Sequence, residues 1–161
     1  MTEPTIHERP EVWLPRLRAV LEEQIGHYRE LDALGEKQSG LIETGDAEGL
    51  IGVLAQRQMV IDRIAGLNGD LVPFQRGWDV LSTMISDEQR SEMRGKLDEL
   101  AALVKRIGER DEADKQSLER KRDAVKRELN GLNQGKRAAQ AYGVRGANAP
   151  TDVPLYQDRN G

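Results

Sequence analysis

Residues 86–142 read SDEQRSEMRGKLDELAALVKRIGERDEADKQSLERKRDAVKRELNGLNQGKRAAQAY, and the reading of this stretch decides the fold. It contains no proline, and its apolar residues recur at three-and-four spacing: Met93, Leu97, Leu100, Val104, Ile107, then Leu118, Val125, Leu129 and Leu132. That is the period of an amphipathic α-helix. Ser86 and Gln89 open it as a capping box, in which two side chains satisfy each other's free backbone donors. A helix of about fifty residues is about 75 Å long at about 1.5 Å per residue, more than a compact domain needs. Its apolar stripe has to be covered by something.

Upstream, the chain supplies two more helices. Pro10 suits a first helical turn, where its missing N–H costs nothing. The line Leu14, Leu17, Leu21, Ile25, Tyr28, Leu31, Leu34, Leu41 and Ile42 predicts helix 1 over about 11–43. Thr44-Gly45-Asp46 reads as a stop and restart, with Gly45 closing one helix in a left-handed conformation and Asp46 capping the next. Leu50, Val53, Leu54, Val60, Ile61, Ile64 and Leu67 carry helix 2 over about 47–84, with Asn68-Gly69 and Pro73 expected to break or bend it near Pro73.

So short a connection makes the first two helices antiparallel neighbours. A hairpin turning at Gly45 sets Trp13 opposite Trp78 and closes its open end. Turning again near residue 85, helix 3 (about 87–134) has residue 124 level with Asp46, so its last turns overhang with no cover from this chain. The expected fold is all-α: an elongated antiparallel helical hairpin, or three-helix coiled-coil-like bundle, with a long overhanging third helix. Residues 1–9 read as a disordered start, 10–142 as the helical domain, and the Gly-, Asn- and Pro-rich residues 143–161 as a flexible tail holding one apolar island, Val153-Pro-Leu-Tyr156.

Composition narrows the function classes. The chain has 161 residues, 32% of them charged and 37% hydrophobic, and few aromatics, which suits long helices with narrow seams. Without cysteine there is no disulfide framework, zinc-thiolate site or thiol nucleophile. No run approaches the ~18 apolar residues of a membrane span, and the acidic start MTEPTIHERPEVW has no signal-peptide core. A cytoplasmic protein is expected. Charge is polarised: residues 1–70 carry 13 acidic and 7 basic side chains, whereas 115–137 carry 8 basic and 3 acidic.

The basic run from Arg120 to Arg127 is interrupted by Asp123 and has no interleaved aromatic, so it reads as a solvated helix face rather than a nucleic-acid surface. Asp111, Glu112 and Asp114 cluster halfway along helix 3, with Asp111 and Asp114 near its apolar seam. A metal or catalytic carboxylate site needs further ligands from other helices, and His27 between Glu23 and Glu30 does not supply the Glu-x-x-His pair of a di-iron bundle, so a polar layer fixing helix register, or plain exposure, is the better reading. No phosphate loop, nucleophile elbow or zincin motif is present. No enzyme activity and no cofactor is expected. The overhang can pair with a partner's amphipathic helix, with a second copy of the chain, or with its own end folded back. Tyr142 reads equally as a cap on the last turn or as a binding anchor.

The Leu-x-x-Leu start of helix 1, the Thr-Gly-Asp46-x-x-x-Leu50 link, the proline-bounded bend before Trp78 and the ending Gly131-Leu132-x-x-Gly135-x-x-x-Ala139-x-Ala141-Tyr142 together resemble the FlgN family of flagellar type III export chaperones. The similarity spans roughly residues 13–145. It implies a cytoplasmic chaperone that binds the C-terminal helical region of hook–filament junction proteins, prevents their premature assembly and delivers them to the export gate. Carried over, partner binding falls on Leu118, Val125, Leu129 and Leu132, and Tyr142 becomes the candidate for docking the export gate. The chain would be a monomer or weak homodimer. The alternative is a self-associating coiled-coil adaptor or structural protein unrelated to flagella.

Overall fold

The computed structural model describes residues 9–143. Of the disordered start expected over residues 1–9 and the tail expected over 143–161, residues 1–8 and 144–161, with the Val153–Tyr156 island, lie outside the described residues. Three helices follow one another: α1, Pro10–Thr44; α2, Ala47–Leu81; and α3, Asp87–Gly143, with a single 3-10 turn at Ser82–Met84 between the last two. There is no strand among the described residues.

Local chemistry sets the boundaries. Gly45 adopts φ 73° and donates to the Ile42 carbonyl, and Asp46 N–H donates to Leu41 O, so the α1 carbonyls are satisfied by a left-handed cap. Asp46 Oδ1 then accepts from Gly49 N–H at 2.8 Å to open α2. A Cβ on Gly49 would stand 2.6 Å from the Asp46 carboxylate and 2.9 Å from Leu41, so glycine is what lets the cap close. At the head of α3, Gln89 N–H donates to Ser86 Oγ (3.1 Å) and Ser86 N–H to Gln89 Oε1 (3.0 Å). That is the reciprocal box the sequence calls for.

Two features of α2 differ from expectation. It runs without interruption through Asn68, Gly69 and Pro73, and it ends as an α-helix at Leu81, the 82–84 piece being 3-10. An internal proline costs about 3 kcal/mol, but Leu71 and Phe74 on either side of it are both buried, and each full burial returns about 1.5–3 kcal/mol. Packing outweighs the local break.

Residues up to Ser117 form one compact unit, with the chain from Leu118 forming another. In the first, Trp13, Leu14, Leu17, Leu21, Leu71, Phe74, Leu81 and Met93 make one apolar cluster, with Trp78 packed against it. The two tryptophans thus belong to the same apolar cluster at the open end of the hairpin. Leu31, Val60, Ile64 and Ile107 make a second cluster, flanked by Tyr28 and Leu34. The α3 seam is turned slightly from the expected line: Met93, Leu103 and Ile107 are buried, while Leu97 and Val104 are about half exposed. Leu97 stands beside an apolar cavity of about 350 Å³ between the helices, lined also by Leu71, Phe74 and Met93.

Between and beside these clusters the bundle is polar, and its pairs report the register. Arg18–Glu92, Glu22–Lys96, Asp32–Arg106 and Glu36–Arg110 all join α1 to α3 at an offset of 74 residues, so the two helices run parallel. Gln24 Nε2 donates to Ile64 O and Asn68 Oδ1, across antiparallel α1 and α2.

Asp32 is buried between Arg106 and Arg110 (2.6 Å each). Hydrogen bonding from Arg106 outweighs the opposing effect of burial and, with Arg110, holds its carboxyl below the ordinary carboxylate range. The unfolded chain therefore takes up this proton first as pH falls. The stabilisation is present above the ordinary carboxylate range, near pH 4, and is lost as pH falls through the lower folded value. Urea titrations at pH 7 and pH 3 should show wild type losing more stability between the two than Asp32→Asn; equal losses would show that Asp32 does not contribute.

Candidate functional site

The acids singled out in the sequence lie in the first unit, and they are already committed. Asp111 accepts two hydrogen bonds from the Arg57 guanidinium, both at 2.7 Å. The same guanidinium donates to Gln38 Oε1 at 2.6 Å, Gln38 Nε2 donates to Asp114 at 2.8 Å, and Ser39 Oγ donates to Asp114 at 2.7 Å. Arg57, Gln38 and Asp114 are buried. This is a polar layer tying the three helices together, with every carboxylate facing a donor rather than a vacant coordination position. Glu112 stands apart from it, exposed and beside Gln116. His27 is 3.7 Å from the exposed Glu23. No group of three or more metal-ligating side chains occurs among the described residues, and no helix among them is long and apolar enough to cross a membrane.

The second unit offers a different kind of surface. From Leu118 to Tyr142 the described side chains are exposed, apart from a half-buried Ala124. Leu118 is 44% exposed, Val125 54%, Leu129 50%, Leu132 70% and Tyr142 87%. Leu118, Val125 and Leu132 are seven residues apart, and Leu129 lies four beyond Val125. All four therefore share one face of α3. Tyr142, ten residues past Leu132, falls off that line. The candidate residues thus divide into a four-residue apolar stripe and a separate exposed aromatic.

Two cations belong to the stripe: Arg122, expected on a solvated basic face, and Lys136, which reading by apolar type does not single out. Arg122 precedes Leu129 by seven residues and Lys136 follows it by seven, so both occupy seam positions. Beside the stripe, Gly131, Gly135 and Ala139 leave a shallow concavity with Leu132 and Lys136 on its wall. The signal was available: heptad counting from Leu129 finds both cations, whereas reading only apolar types does not.

Such a surface has no acid–base pair or phosphate cradle. It can lie against an amphipathic helix, whose apolar seam would remove Leu118, Val125, Leu129 and Leu132 from water at about 25 cal/mol per Å². Compared with known proteins, the chain matches a family model described as FlgN protein over residues 13–150. Searches of curated proteins and of solved structures give no match.

Proposed function

The chain belongs to the FlgN family of flagellar export chaperones, and from that membership we propose that it holds hook–filament junction proteins in the cytoplasm by their C-terminal helical region, prevents their premature assembly and passes them to the export gate. The observation that carries the proposal is the exposed line Leu118, Val125, Leu129 and Leu132 on one face of α3. Apolar side chains at this spacing are energetically idle in water and gain only when a second helix covers them. Covering the cargo's own assembly helix with this stripe would keep it from polymerising. Tyr142, exposed and off the stripe, is left free by such a complex, in keeping with a role at the export gate.

Size exclusion with light scattering on a mixture of this chain and the C-terminal region of its host's hook–filament junction protein tests the reading. Wild type should give a stoichiometric complex, and Leu129→Asp should lose it while its circular dichroism stays unchanged. A carboxylate at the centre of a covered apolar seam weakens association by about 2 kcal/mol or more, roughly thirtyfold. No complex, together with a homodimer that Leu129→Asp splits, would instead establish a self-associating coiled coil.

A further inference from the structure

Beside its apolar core contacts, α3 meets the hairpin through charges that are answered. Glu92 faces Arg18, Lys96 faces Glu22, Arg110 faces Asp32, and Asp111 faces Arg57. The stripe from Leu118 onward continues the heptad spacing, but its two cations, Arg122 and Lys136, stand in the seam itself. Among the described residues Arg122 pairs with its chain neighbour Asp123, in an exposed contact at 3.5 Å. A helix that covers Leu129 and Leu132 must therefore also cover, or lie against, two positive charges fourteen residues apart. Burying a cation without a counter-charge is costly. The flanks answer it only in part: Lys126 adds a further positive charge, and Glu119 and Glu128 one negative charge each.

We infer that the partner is an amphipathic helix carrying two carboxylates fourteen residues apart within its own apolar seam, one meeting Arg122 and the other Lys136. This inference rests on the stripe being the cargo site and adds the chemistry by which that site chooses among helices. The apolar residues supply attraction to any leucine-lined helix; the two cations reject those that place an apolar or basic residue opposite them. Selection then lies in two positions rather than in the whole seam.

The test uses three synthetic helices of about four heptads, identical except at two seam positions fourteen residues apart, which hold Glu, Leu or Lys. Each is titrated into the full chain by fluorescence anisotropy, at peptide concentrations where it is monomeric. The Glu helix should bind at least about tenfold tighter than the Leu helix, with the Lys helix weakest. The Glu advantage should narrow as salt is raised, because screening weakens the charge pairs. Arg122→Leu/Lys136→Leu should invert the order of Glu and Leu; should that variant self-associate, Arg122→Gln/Lys136→Gln should abolish the Glu advantage. Equal binding of the Glu and Leu helices to wild type would overturn the inference, the cations then swinging their heads into water, while leaving the chaperone reading intact. If none of the helices binds, and the junction-protein complex survives Leu129→Asp, the stripe is not the site and the inference falls, while the complex itself keeps the chaperone reading.

Discussion

Trp13→Ala should destabilise the protein by about 3–5 kcal/mol, the range for truncating a fully buried large aromatic. For a chain of this size that is a fall in Tm of about 10–15 °C, read by circular dichroism at 222 nm. Trp13 is completely buried at the open end of the hairpin, in the cluster that gathers Leu17, Leu71, Phe74 and Met93 from all three helices. The loss would therefore be felt by α1, α2 and α3 together. Its indole Nε1 makes no hydrogen bond to the described protein, so the residue acts through volume and apolar area alone. Trp13→Phe should accordingly cost less than about 1.5 kcal/mol, since it gives up part of the volume but also removes a buried donor with no acceptor. A small loss in the alanine variant would mean that the end of the bundle repacks freely.

Arg57→Met should cost about 2–3 kcal/mol. Removing one member of a buried pair usually costs about 3–5 kcal/mol, but Asp111 keeps 40% of its side chain in water and regains some solvation when released. Gln38 Oε1 loses its donor at the same time. The double variant Arg57→Met/Asp111→Leu should recover much of that loss, because a buried pair exchanged as a whole for apolar groups is close to neutral. Urea midpoints for the two variants decide this. A double variant no more stable than the single would show that the pair itself, rather than its satisfaction, holds the helices together.

Much of this fold is legible in the sequence because local rules fix it. The Ser86–Gln89 box, the left-handed Gly45 and the Asp46 cap each depend on a few neighbouring residues. That Trp13 and Trp78 share one cluster follows from a tight turn and helix geometry alone. What escaped depends on three dimensions. Leu103 and Val104 are adjacent and both apolar, and only the packing angle of α3 decides that Leu103 goes inside. Pro73 looks like a break until the burial of Leu71 and Phe74 is counted. Arg57, Gln38 and Asp32 sit at seam positions, yet their side-chain type argues for the surface until each one's partner is known. The candidate stripe followed the opposite pattern: its apolar members stood out by type, and its two cations only by position.

The rungs between α1 and α3 are mostly exposed ion pairs, each worth about 1 kcal/mol or less, so they add little to stability. Between the first two rungs the sign reverses instead: going up α1, Arg18 and then Glu22 face Glu92 and then Lys96 on α3. Sliding α3 by one turn would set Glu22 against Glu92 in one direction and Arg18 against Lys96 in the other, replacing attraction with repulsion. The ladder is a checksum on alignment. A helix threaded one turn out of place would lose these pairings within the first unit. Which residues of α3 the first unit holds, and in what order, is written in the charges of the first helix.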